Sequence, residues 1–267
     1  MGGVASRRVT ALRVVIVSYP LSVLIVAAVA PFFGGSITAG SIAWGLAAGV
    51  LGGVAIWAFY LALASGPMSV VSPVTAVLVA GIPVVVGFVL GERPAPAALV
   101  GIVLALVAVA LVSRESPDET ASEVRCRELR FTRNVAFLTV IAGVTFGFMF
   151  VAFHRFGEGH GMWPLLASRI SATGVVWVAA LAARQFSPPR GEVLRLAAYI
   201  SVLDVVANAA MIYAYHGAML SLVSVIGALY PAATVLLAMV MLGERVGRLQ
   251  QVGMVTALAS VGLIAAA

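Results

Sequence analysis

The chain has 267 residues, 62% of them apolar and only 10% charged, and its mean hydropathy is +1.12. Soluble domains carry about a quarter charged residues, so a soluble protein is excluded and a polytopic membrane protein fits. The formal charge of +6 comes from 16 cationic residues, all arginine; they cluster between apolar runs, so membrane topology accounts for them and no nucleic-acid partner is expected.

Taken in chain order, the apolar runs predict nine membrane helices, at about 9–33, 41–65, 70–91, 97–113, 135–153, 162–183, 196–216, 221–242 and 249–267. The first follows Arg7 and Arg8 and further spans succeed it, so it reads as a retained helix rather than a cleaved signal peptide. In the second, Gly45, Gly49 and Gly53 recur every fourth residue, a spacing that lets two helices approach closely. Trp57 and Tyr60 continue that face, either as aromatic substrate contacts or as core filler.

Residues 114–134 form the one long polar stretch, with five arginines and five acids, and read as a linker between two halves. It holds Cys126, the only cysteine, so no intrachain disulfide can form. With the N-terminus placed inside, twelve loop arginines fall on the inner face and only Arg93 and Arg155 on the outer one. That bias puts the N-terminus and the linker inside and the C-terminus outside.

Ionisable groups inside spans are costly and are candidate sites by default. Asp204 lies in the seventh run, and Asn208, Met211 and Tyr215 follow at helical spacing on one face. Asp204 reads as a binder of a cationic amine or of a coupling proton, or as the fixed partner of Arg169 on the preceding helix. Arg169 and Arg13 stand near the starts of corresponding helices; each either reaches for headgroups or binds a substrate carboxylate or phosphate. Tyr230-Pro231 interrupts the eighth run, as a simple kink or as a break at a binding site. His154, His160 and His216 lack metal-ligand spacing, so no metal site is expected. No phosphate-binding loop or nucleophile elbow occurs, so no catalytic residue, enzyme activity or cofactor is expected.

The tripeptide Gly-Glu-Arg ends two of these runs, at Gly91 to Arg93 and at Gly243 to Arg245. Aligned at that offset of 152, Ser69, Val71, Ser72, Ala76, Ala80 and Leu90 also recur, and the register continues through Val100-Gly101, Val103, Ala105-Leu106, Val109 and Leu111. Five predicted helices separate the copies, so the second copy returns on the opposite membrane face and the halves are inverted. The glycines read as helix ends, and the Glu and Arg as groups that satisfy terminal backbone or neighbouring charge. Residues 1–113 and 135–267 are then two repeats. Only 12 residues precede Arg13, against 38 from Phe131 to Ser168 before Arg169. The shortfall is about one membrane helix and a turn. The all-α fold is thus two inverted repeats, 4+5 as given, and the expectation is a gene that begins one helix earlier, giving 5+5.

The tandem "LGER" helix ends, the helices "VGIVLALVAVALV" and "VGMVTALASVGLI" after them, "ALYPAATVLL", and "GMWPLLASRISA" together resemble the EamA-type members of the drug/metabolite transporter superfamily. The resemblance implies a multi-pass carrier of the bacterial cytoplasmic membrane, usually an exporter, for small metabolites or toxic compounds, in some members driven by protons. It also implies both termini in the cytoplasm, opposite to the arginine tally once a helix is added. The expected partners are a small-molecule substrate, the lipid bilayer and coupling protons. The reading from a different class is a non-transporting membrane protein: a sensor, an assembly subunit or a truncated relic.

Overall fold

The computed structural model describes residues 11–113, 132–182, 192–242 and 247–267. Most of the linker with Cys126, the Arg13 side chain and the second Gly-Glu-Arg lie outside the described residues. The described residues are all helical, without strands: α1 (Ala11–Val29, extended by a 3-10 turn, Ala30–Phe33), α2 (Ala39–Ser65), α3 (Met68–Val89), α4 (Pro96–Val112), α5 (Arg133–His154), α6 (Trp163–Ala182), α7 (Glu192–Ala214), α8 (Leu220–Ala228), α9 (Tyr230–Leu242) and α10 (Arg248–Ala265). Among them, eight segments are long and apolar enough to span a bilayer, α8 and α9 counting as one. Apolar α4 has 17 residues, about 25 Å of rise, at the short end of the spanning range.

The interruption read at Tyr230-Pro231 is a real break, at Leu229. Pro231 has no N–H to give the Gly227 carbonyl, and the Leu229 N–H turns back to Gly227 and Ile226 instead. Pro20 in α1 is tolerated by a different device. It leaves the Ile16 carbonyl without its helical donor, and the Trp177 indole N–H of α6 donates to that oxygen at 3.3 Å.

The first Gly-Glu-Arg closes α3 in a Schellman turn. Gly91 takes φ +92°, its N–H donates to Phe88 O, and the Glu92 N–H donates to Gly87 O. The turn delivers the Glu92 carboxylate to the start of α8, where it accepts the N–H groups of Leu220 and Ser221. A side chain at Gly87 would collide with that carboxylate, so the glycine one turn earlier clears its path.

The chain divides into two compact units, residues 1–60 with 148–217 and residues 61–147 with 218–267. Each therefore draws on both sides of the polar linker, with boundaries inside α2 and α5. In the first unit α1 packs on α6 and α7, and α2 lies against α6. Gly45, Gly49 and Gly53 are the reason: a Cβ at each would strike Pro164, Ser168 or Val175 of α6. The gap at Gly49 also lets the Ser171 hydroxyl of α6 donate to Leu46 O of α2 at 3.0 Å.

In the second unit α4 packs along α10. A Cβ on Gly101 would lie 2.7 Å from Ile264, and one on Gly253 would lie 2.6 Å from Val112. The two helices thus run antiparallel, and each glycine near a helix start meets the residue near the other helix's end. Gly253 and Ile264 are 152 residues beyond Gly101 and Val112, so the contact is reciprocal under the sequence repeat. α3 packs on α8 in the same unit. α5 closes on α3, with Gly143 against Leu78 and Gly147 against Ile82.

Small residues fill the interior: Ala30, Ala48, Ala55, Ala62, Ala105, Ala108, Ser22 and Ser201 are almost fully buried. Many large ones face out, with Val89, Val240 and Leu258 all more than 70% exposed, while Phe153, Leu165 and Leu220 are among the few buried at full size. That inversion of the soluble pattern suits a lipid solvent, where close backbone packing replaces hydrophobic collapse.

Candidate functional site

Within the first unit, α1, α6 and α7 bring together the few polar side chains of their apolar spans. Asp204 stands about 15 Å, ten residues, before the end of α7, near the middle of that helix. Arg169 of α6 reaches it, with Nη1 2.9 Å from Asp204 Oδ2. Asn208, one turn further along α7, donates Nδ2–H to Asp204 Oδ1 at 3.0 Å and to the Asp204 carbonyl at 2.7 Å. The Ser22 hydroxyl of α1 lies 3.5 Å from Oδ2 and donates to Ser18 O at 2.9 Å. Ser201 donates to the same carbonyl, which ties α7 to α1 one turn below Asp204. The ring of Tyr19 covers the guanidinium, 5.9 Å from ring centre to Arg169 Cζ.

The two members of the ion pair differ in access. The Arg169 side chain is 7% exposed and that of Asp204 is 33% exposed. Arg169 Nε is buried and has no hydrogen-bond partner among the described residues.

The remaining predicted residues divide around this cluster. Tyr60 packs, like Tyr19, against the apolar cluster of Val15, Ile16, Val176 and Ala180. Trp57, 37% exposed, stands outside that packed cluster on the same helix. Tyr215 follows the end of α7 and is buried, its ring edge-on to His154 at 5.6 Å. Of the predicted stripe, Asn208 contacts Asp204 directly, one turn on, and Tyr215 follows the last residue of α7 with its N–H still bonded to Met211 O. Tyr230 belongs to the second unit, at the start of α9, and is 55% exposed. His160 lies in the turn before α6, where Nδ1 contacts Ser36 O at 2.9 Å. Among the described residues no cluster of three or more His, Cys, Asp or Glu is placed to hold a metal.

Sequence reasoning did not single out Tyr19, Ser22 or Ser201. A signal existed in "SYPLS", residues 18–22, a polar pair around a proline inside an otherwise apolar span.

Apolar spans around a mid-helix ion pair define a polytopic membrane protein with a charged centre that its fold must hold. The chain belongs to the EamA-like transporter family, whose description matches residues 1–114 and 133–266. It is a membrane transporter of the drug/metabolite type. A solved structure described only as a crystal structure of a protein superposes with a TM-score of 0.73, over 98% of this chain and 89% of its own, at 15% identity. That likeness concerns the fold alone. No curated protein matches significantly.

Proposed function

We propose that this transporter is a secondary carrier that exports small polar or amphipathic metabolites or drug-like compounds across the bacterial cytoplasmic membrane, by alternating access between inverted repeats. The observation that carries this reading is the Arg169–Asp204 pair near the middle of α7, closed on the Arg side and partly open on the Asp side. A fold held only by packing has no need of two charges at that depth. The partly open carboxylate gives a substrate or a coupling proton something to exchange with. Asp204 is the coupling residue, Asn208 and Tyr60 line the same centre, and Arg169 holds the carboxylate in place.

The reciprocal contacts of Gly101 with Ile264 and Gly253 with Val112 support the inverted repeat, since only an antiparallel, duplicated pair produces both. Residues 1–113 and 135–267 are the two repeats and 114–134 is the connection. Inverted halves supply two arrangements of similar energy, facing opposite sides of the membrane.

A resistance and cross-feeding screen tests this function. The chain is expressed in a bacterium stripped of its exporters and challenged with amines, amino acids, sugar derivatives and toxic cations. At least one compound should show raised tolerance or raised release that disappears when Asp204 is replaced by Asn. Expression at full level with no change across the panel would argue for a non-transporting role.

A further inference from the structure

The geometry points to a ligand that carries a cationic nitrogen with at least two N–H donors, a protonated amine or amidine, seated on Asp204 and Asn208 rather than an anion seated on Arg169. This rests on the reading of the cluster as the transport site, and it follows from which polar atoms are open.

Arg169 is the less accessible member of the pair. Its side chain is 7% exposed, Tyr19 covers its face, and Nη1 is committed to Asp204. The free Nε is itself buried, so an anion reaches it only by repacking α1 against α6. On the approach side an anion meets the Asp204 carboxylate first, and like charge repels it.

Asp204 offers the opposite. An ionised carboxylate has about four acceptor positions. Asn208 takes one on Oδ1 and Arg169 takes one on Oδ2, while the Ser22 hydroxyl, 3.5 Å from Oδ2, has its one proton nearer Ser18 O. One position on Oδ1 is left, on a side chain that is one-third open. Asn208 has its Nδ2 turned to the Asp204 carbonyl and carboxylate, so the group it has left to offer a ligand is its amide oxygen, an acceptor. The two open positions are therefore both acceptors, one of them charged. A ligand that satisfies them must bring N–H donors, and a donor that is itself cationic bonds a carboxylate more strongly than a neutral one. Arg169 acts here as a positioning residue: it fixes one carboxylate oxygen and leaves the other to the ligand.

Two probes with the same phenylethyl body and opposite charge separate the alternatives: 2-phenylethylammonium and 3-phenylpropionate, titrated against the full chain in lipid nanodiscs. Binding is read from tryptophan fluorescence and from the shift in melting temperature. The ammonium should bind saturably, at least tenfold more weakly to Asp204→Asn, and the carboxylate should not bind. Asn208→Ala, which leaves both members of the Arg169–Asp204 pair in place and removes the amide, should weaken ammonium binding severalfold, so the proposal stays testable if Asp204→Asn fails to fold. Carboxylate binding that is lost in Arg169→Gln would overturn the ligand class while leaving the site intact. Ammonium binding that ignores residues 204 and 208, or no binding of either probe, would overturn the proposal, and binding indifferent to residues 169, 204 and 208 together would remove the site reading as well.

Discussion

Arg169 and Asp204 meet at 2.9 Å across α6 and α7, and the contact is one-sided: the guanidinium is sealed in and the carboxylate is one-third open. Removing the open partner strands the sealed one. Asp204→Asn leaves a buried arginine without its counter-charge, and such losses typically cost about 3–5 kcal/mol. The variant should melt well below the wild type in detergent. Arg169→Gln combined with Asp204→Asn should recover much of that stability, because no uncompensated charge is left, yet should not recover transport. A double variant as unstable as Asp204→Asn would show that the pair does not act as a pair.

Trp177 and Pro20 make a second linked prediction. The indole N–H serves the Ile16 carbonyl only because Pro20 cannot. Trp177→Phe should cost about 1–3 kcal/mol for the unsatisfied carbonyl, besides lost packing. In a Pro20→Ala background the backbone donor returns, and the same substitution should cost measurably less. Equal costs in the two backgrounds, measured by a double-mutant cycle on unfolding, would contradict the arrangement.

Glu92 is expected to be structural. Its carboxylate caps α8 by accepting the N–H groups of Leu220 and Ser221, and loss of a helix cap costs about 1 kcal/mol. Glu92→Ala should lower the melting temperature and leave the pH dependence of transport unchanged. A changed pH profile would assign Glu92 a part in coupling instead.

The Gly45, Gly49 and Gly53 seam admits no side chain. Gly49→Leu would drive its side chain into the Ser168 carbonyl and the Ser171 hydroxyl, at a cost of about 1–3 kcal/mol or more from overpacking. It should reduce the folded yield sharply, whereas Gly174→Ala, where nothing crowds the added carbon, should leave it unchanged. Size-exclusion profiles of the two variants check the contrast.

Much of this was legible in the sequence because it is local or periodic. Helix extents follow apolar runs, the glycine seam follows four-residue spacing, and Pro231 announces the break at Leu229. The Asp204 and Arg169 pairing was open to inference because two charges in adjacent spans have few other partners. What the sequence could not supply is which distant group answers a local defect. Pro20 signals a freed carbonyl, but nothing in "SYPLS" says that Trp177 of α6 will fill it. Helical spacing places Tyr215 in line with Asp204 but does not say that its ring packs edge-on to His154. Nor does the order of repeats along the chain show that each compact unit combines helices from both sides of the linker.

The central claim is that Asp204 is the coupling residue of a carrier. Its most direct test is flux in proteoliposomes under an imposed pH gradient, with the compound that the exporter screen identifies. Wild type should move that compound in response to the gradient, and Asp204→Asn, reconstituted at equal protein and confirmed folded, should lose the gradient-driven component. Full, pH-dependent transport by Asp204→Asn would contradict the account.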